Sequence, residues 1–183
     1  MIIPNLLGSI CSGKLGSVYS EEVGSVSGEE VGSVLSEFPI SSRFENIYNM
    51  NICTYTSAVS MKPKQIMVAI YNDTKTLEIV NNSPKFVLQL LAANQYRMVD
   101  LLGKKSGKNI DKISRLEKRE LIAEWNGYKI LKDALALTEL KVENTMQAGD
   151  HKLFLCTVID YKNLNGGEAL TLDDLREHRL IRI

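Results

Sequence analysis

Thr54, Thr56, Ser57 and Ser60 place four hydroxyls in one short run, and Lys75-Thr76 adds a cation and a fifth hydroxyl further along. A phosphate group carries about two negative charges and is held by hydroxyl or amide donors together with a cation. These residue types suit that task. On an unbroken strand, however, Thr54, Thr56 and Ala58 point one way while Tyr55, Ser57 and Val59 point the other. The hydroxyls can meet one anion only if the strand ends or bulges there. The competing reading is that Thr and Ser simply favour a half-buried strand.

Other chemistry is hard to find. No serine–histidine–aspartate spacing, paired catalytic carboxylates or GxxxxGK[ST] loop stands out. Cys11, Cys53 and Cys156 form no CxxC pair, and neither His151 nor His178 has a cysteine close by in sequence. That pattern argues against structural zinc and suits reduced thiols in a cytoplasmic protein. Cys53, beside the hydroxyl run, is expected to be buried and inert. Trp125 is expected to pack in the core, and His178 to be a solvated residue at a helix end.

The chain of 183 residues suits one domain with a real core. Its formal net charge of zero gives no reason to expect nucleic acid or an anionic membrane as partner. No apolar run approaches the roughly 20 residues of a membrane span. The opening MIIPNLLGSICSGK lacks a leading basic residue and is not expected to be a signal peptide. Charge is uneven along the chain. Up to Ile40 there is one basic side chain, Lys14, against Glu21, Glu22, Glu29, Glu30 and Glu37. The remainder is therefore mildly positive, which suits a phosphorylated ligand.

Those first residues also repeat. LGSICSGK, LGSVYSEE, VGSVSGEE and VGSVLSEF follow one another from Leu7 to Phe38. Recurrent Gly and Ser and an eight-residue period disfavour a helix. Residues 1–40 are taken as a low-complexity segment peripheral to a domain over 41–183. Within that domain the pattern predicts a strand over Ile52–Ser60 and another, buried on both faces, over Gln65–Tyr71. It further predicts a helix over Thr76–Asn82, a strand over Phe86–Leu91 and helical spacing over Asn94–Leu102. Lys104–Lys112 should be an exposed basic loop. Ala134–Glu143 and His151–Tyr161 flank Gly149-Asp150 as a hairpin, and Thr171–Asp174 offers a helix N-cap. The fold class is mainly β with a few short helices, a small barrel or a sandwich.

Three segments in order, NICTYTSAVSMKPK, NDTKTLEIVNNSPKFVLQLL and GDHKLFLCTV, resemble the flavin reductase-like family. That family comprises FMN-binding split β-barrels, flavoredoxin-type NAD(P)H:flavin oxidoreductases among them. The resemblance implies FMN as cofactor, NADH or NADPH as co-substrate, and a homodimer with the flavin near the subunit interface. It places Thr54, Tyr55, Thr56, Ser57, Ser60, Asn72, Lys75, Thr76 and Gln95 at the flavin and His151 where the nicotinamide docks. Residue by residue, other roles stay open. Tyr55 suits a core or an interface, Asn72 a turn, Gln95 a helix, and Lys75 and His151 the surface. The family opens with an apolar strand before the Ser/Thr segment, a place here taken by the octads. Either Val31–Ile40 supplies a substitute strand or the barrel lacks one.

An NAD(P)H:flavin reductase is the leading expectation. An FMN-bound electron carrier and a non-catalytic dimeric barrel are the alternatives. The apolar C-terminal set of Leu170, Leu172, Leu175, Leu180 and Ile181 is the candidate dimer face.

Overall fold

Period-two burial shows how the strands are used. In β4 (Lys64–Tyr71) the side chains of Ile66, Val68 and Ile70 are buried, while Met67 and Ala69 on the other face are half-buried. One face meets the core and the other faces outward. The expectation of burial on both faces fails because none of the described residues covers Met67, which lines a shallow outer depression with Val59, Met146, Leu153 and Leu155. The structure is a computed structural model that describes residues 37–180. The octad blocks, all but their last two residues, lie outside the described residues, as does Ile181.

A seven-stranded antiparallel sheet runs in the order β2-β1-β5-β8-β9-β4-β3. Its remaining members are β1 (Phe38–Phe44), β2 (Ile47–Cys53), β3 (Thr56–Met61), β5 (Lys85–Leu90), β8 (Ala136–Ala148) and β9 (His151–Asn163). The missing first strand is thus present. β1 begins at the last residue of the octads and pairs with both β2 and β5. Phe38 and Ile40 enter the barrel core beside Phe86, Phe154 and Cys53.

The single strand expected over Ile52–Ser60 is two. β2 ends at Cys53 and β3 starts at Thr56, while Thr54 and Tyr55 cross from one edge of the sheet toward the other. Tyr55 O accepts a hydrogen bond from Ala69 N of β4 at 2.9 Å. Thr56 pairs with Val68, so this bond is the next rung of the β3–β4 ladder. Cys53 Sγ lies 3.2 Å from Ala69 O, which sets the end of β2 against β4 and gives the curved sheet a seam. β3 also carries an irregularity in register between Ala58 and Ser60.

Helix α1 (Lys75–Asn82) is capped by Thr74, whose hydroxyl accepts from Leu77 N. Leu77, Ile79 and Val80 are its buried apolar residues, and the first and last of these join the barrel core. On the sheet's other face a second cluster collects α2 (Met98–Leu102), α3 (Lys112–Glu117), α4 (Leu172–Glu177) and the hairpin β6–β7 (Ile122–Trp125, Tyr128–Leu131). Asn126 and Gly127 turn that hairpin at φ 48° and 78°, a left-handed pair that Asn-Gly adopts readily. Buried Gln89 ties the hairpin to the sheet, donating to Ser41 Oγ and accepting from Leu131 N.

The C-terminal expectation needs revising. Leu170 and Leu175 are buried in this second cluster, Leu180 packs against it, and Thr171 and Asp174 form a capping box. Leu170, Leu175 and Leu180 pack on their own chain and so do not argue for a partner, while Leu172 is half-buried outside that cluster.

Candidate functional site

β2 is an edge strand, and its polar residues face a cleft. Asn49 and Asn51 share one side of the strand. Asn49 Nδ2 donates to Thr76 Oγ1 at 2.9 Å, in the first turn of α1. Because that bond fills an acceptor position on the hydroxyl, the Thr76 O–H remains available as a donor. Thr76 is fully buried.

Two cavities meet here. One, of about 230 Å³, includes Asn49, Lys75, Thr76, Lys104, Lys105 and Gly107 in its lining. The other, of about 100 Å³, includes Thr54, Tyr55, Ala69 and His151. Asn51, Tyr71 and Thr76 line both, so the two adjoin.

The first cavity is electropositive by subtraction. Lys104 pairs with Asp100 at 2.6 Å, and Lys108 pairs with Asp73 at 2.7 Å and Glu78 at 3.0 Å. Lys75 has no carboxylate within ion-pair distance among the described residues, and it sits at the positive end of the α1 dipole. Gly107 crosses over Asn49 so closely that a Cβ there would overlap the Asn49 amide oxygen. Only glycine lets the loop lie down at that point. The loop is thus less free than expected from its composition, and its last member, Lys112, is not exposed at all.

At the mouth of the second cavity, His151 opens β9 opposite Tyr71 of β4. Tyr55 and Tyr71 present ring edges or faces to the imidazole at 5.3 and 5.4 Å between centroids. Nδ1 of His151 lies 2.6 Å from Asp150 Oδ1, which fixes the ring's orientation. Thr54 turns its hydroxyl to the buried carboxylate of Glu37, at 3.2 Å from each oxygen. Burial pushes the Glu37 carboxyl above the usual carboxylate range, and the Thr54 hydrogen bond opposes this. Cys53 is buried, and burial pushes its thiol up to about 12, so it is inert as expected.

Of the residues expected from sequence, the structure gathers Thr54, Tyr55, Lys75, Thr76 and His151 around this cleft. Thr56, Ser57 and Ser60 line neither cavity. They continue along β3, and the exposed Ser57 hydroxyl approaches only Ala58 O. Asn72 also lies outside both. Its side chain donates to Gly149 O at 3.1 Å and its backbone N–H to Asp150 O at 2.9 Å, stapling the β4–α1 turn to the β8–β9 hairpin. Gln95 accepts from Ala92 N within a short 3-10 turn. Sequence reasoning missed Asn49, Asn51, Tyr71 and Glu37. Asn49 and Asn51 carried a usable signal, two amides at strand spacing flanked by apolar residues.

Fold and cleft together define a split β-barrel with a cleft at its seam, lined by lysines and a buried threonine hydroxyl. The model of the flavin reductase like domain matches residues 41–179, and the chain belongs to that family. A high molecular weight rubredoxin of Moorella thermoacetica is 28% identical over 72% of this chain and 57% of its own length. The FMN reductase (NADH) RutF of Agrobacterium fabrum is 26% identical over 64% of this chain and 65% of its own. A putative diflavin flavoprotein of Nostoc is 29% identical over 69% of this chain but only 22% of its own. The chain therefore spans less than two thirds of each of these relatives. Among solved structures, an FMN-binding protein from Thermus thermophilus superposes with a TM-score of 0.66 at 22% identity, covering 82% of each chain. Flavin reductase PheA2 gives 0.61 at 25% identity, covering 76% of this chain and 90% of its own.

Lys112 is 1% exposed, and burial pushes its ammonium down to about 8 from the ordinary 10.5. Between those pH values the unfolded chain holds a proton that the folded chain has released, so this lysine makes stability rise with pH across the window. The gain should be on the order of 2 kcal/mol. Urea denaturation of wild type and Lys112→Met at about pH 7 and about pH 10 measures it. Wild type should gain on the variant as pH rises. A constant difference would mean that the lysine is solvated.

Proposed function

We propose that this chain binds FMN in the seam cleft and acts as an NAD(P)H:flavin reductase. The observation that carries the reading is that the two cavities adjoin. Lys75 and Thr76, a cation and a hydroxyl donor at a helix N-terminus, are joined through Asn51 and Tyr71 to the aromatic mouth formed by Tyr55 and His151. The donor set fits a phosphorylated ligand with a ring system. FMN, when bound, supplies the chemistry, accepting a hydride from the nicotinamide of NADH or NADPH.

The chain's own residues then bind and orient. Lys75 and Thr76 hold the phosphate, and the Thr54 hydroxyl, committed to Glu37, holds the crossover in place. His151, fixed by Asp150 and flanked by two tyrosines, orients the nicotinamide nucleotide by hydrogen bonding. Such work needs no protein acid or base, which accounts for the absence of a catalytic constellation in the sequence. A second reading, an FMN-bound electron carrier, draws on the similarity to parts of a high molecular weight rubredoxin and of diflavin flavoproteins.

The partner surface we propose is the outer face of β3, β4, β8 and β9. Val59, Met61 and Met146 are 48%, 60% and 62% exposed there, around the depression that Met67 lines. Such a face is usually covered, and a second copy of this chain is the occupant proposed. No helix among the described residues is long and apolar enough to cross a membrane. Buried thiols at Cys53 and Cys156 suit the cytoplasm.

Lys75→Ala should weaken FMN binding about tenfold to a hundredfold, read by absorbance or fluorescence titration. Lys132→Ala, far from the cleft, is the control. Lys104 cannot serve, because it lines the same cavity. Equal losses from both substitutions would mean that general charge, not a defined contact, holds the flavin.

Anaerobic stopped-flow bleaching of FMN by NADH and NADPH separates reductase from carrier. His151→Ala should lower kcat/KM for the nucleotide about tenfold to a hundredfold and leave FMN affinity nearly unchanged. A wild type bleached by neither nucleotide sinks the reductase and promotes the carrier. Unchanged bleaching in the variant removes His151 from the nucleotide's path.

Light scattering at micromolar concentration should return a dimer mass for wild type and a monomer mass for Met146→Asp, because a carboxylate buried in an apolar interface is costly. A monomeric wild type overturns the dimer.

A further inference from the structure

Lys112 is a buried cation that nothing above employs. It opens α3, yet its ammonium reaches past its own helix to the edge strand. Nζ donates to Asn51 Oδ1 at 2.8 Å and to the Leu102 carbonyl at the end of α2. No carboxylate lies within ion-pair distance among the described residues. Buried lysines are usually paired, because an unpaired ammonium away from water is costly. A chain that keeps one here has placed it where an apolar side chain of the same length would fit more cheaply.

The bond to Asn51 has a directional consequence. An ammonium carries donors only, so it can pair with the amide oxygen and never with the amide nitrogen. Asn51 is therefore locked in one of its two flip states. Its Nδ2 is turned away from Lys112, and no acceptor for it lies within hydrogen-bond distance among the described residues. Asn51 lines both cavities at their junction. On the same side of β2, Asn49 commits one of its two Nδ2 donors to Thr76 and is itself buried, whereas Asn51 keeps both of its donors to offer a ligand.

We infer that Lys112 is a positioning residue: it holds the Asn51 amide so that Nδ2 donates into the cleft, to an acceptor oxygen of the bound flavin nucleotide. The inference rests on the FMN reading of the cleft. It assigns a binding role to a residue that touches no ligand, and it explains why a cation is retained in an otherwise apolar contact between α2, α3 and β2. The elements that meet there are apolar in their packing: Val99 and Leu102 of α2, Ile113 and Leu116 of α3, and Met50 and Ile52 of β2 belong to the second cluster.

The test compares wild type, Lys112→Met, Asn51→Ala, the double variant and Asn51→Asp, each by FMN titration and by thermal midpoint. Lys112→Met should keep or raise the midpoint, since it removes a buried charge, yet weaken FMN about tenfold. Asn51→Ala should lose a similar factor. The double variant should be no weaker than the worse single one, because both act through one donor. Asn51→Asp pairs with the ammonium but lacks Nδ2; it should fold at least as stably as wild type and still bind FMN poorly.

Five results overturn the proposal. The first is an unchanged FMN affinity in Lys112→Met. The single losses could instead add in the double variant, which would make Lys112 act by charge alone. A fall of midpoint and affinity together in Lys112→Met would mark a structural lysine. Wild-type affinity in Asn51→Asp would remove the donor. A wild type that does not bind FMN overturns the parent reading and the proposal with it, and that outcome is seen before any variant is compared.

Discussion

One backbone hydrogen bond, Ala69 N–H to Tyr55 O at 2.9 Å, sets the terms for the rest of the molecule. It extends the β3–β4 ladder back into the connection from β2, beside the sheet edge that β3 forms. Cys53 adds a second tie, its thiol lying 3.2 Å from Ala69 O. Strands that closed fully around a barrel would leave no gap for a ligand. Closure at one crossover leaves a seam, and the seam opens between β2, the N-terminus of α1 and the start of β9. The crossover also resolves the geometric difficulty of the hydroxyl run. Thr54 and Tyr55 belong to no strand, so they face the cleft without obeying strand alternation.

Charge around the seam is arranged by pairing more than by number. Lys104 and Lys108 are bonded to carboxylates on their own side of the cleft, and the Lys108 bridge to Asp73 and Glu78 draws the loop across α1. That strap depends on Gly107, which passes over Asn49 with no room for a side chain. Exposed bridges of this kind contribute little stability. Their consequence is local: they anchor the loop while leaving Lys75 and Lys105 in the cavity lining with no carboxylate partner among the described residues. A cation so placed, in the first turn of α1 beside a donor hydroxyl, attracts an anion more specifically than a diffuse basic patch does.

Much of this was legible in the sequence, for physical reasons that can be named. The helix beginning near Thr76, the strand after Pro84 and the hairpin at Gly149-Asp150 all follow local rules of capping, turn chemistry and alternation, and local rules decided them. The division of Ile52–Ser60 into two strands was not legible, because Thr54 and Tyr55 have strong strand propensity and only a long-range bond to Ala69 breaks the run. Lys112 was counted in a basic exposed loop, since a composition window cannot know that Asp111 caps a helix there. The hairpin at Asn126-Gly127 had a local signal that went unused. The C-terminal leucines were apolar as noted, but burial by one's own chain and burial by a partner look alike in sequence.

The cleft is also where the fold departs from its most stable arrangement. Elsewhere buried polar groups mostly bond one another: Gln89 with Ser41 and Leu131, Asn49 with Thr76. Around the seam the barrel keeps a buried carboxyl at Glu37 and a buried ammonium at Lys112, and these two are not paired with each other or with any opposite charge among the described residues. Each is held by neutral partners, Thr54 for the acid and Asn51 for the lysine. Both neutral partners line the smaller cavity. Burying opposite charges without pairing them costs more than replacing either with an apolar residue. Their arrangement is coherent if the groups serve what lies between them, each fixing the side chain that faces the ligand. The same two groups mark the barrel's seam as the place where stability yields to binding.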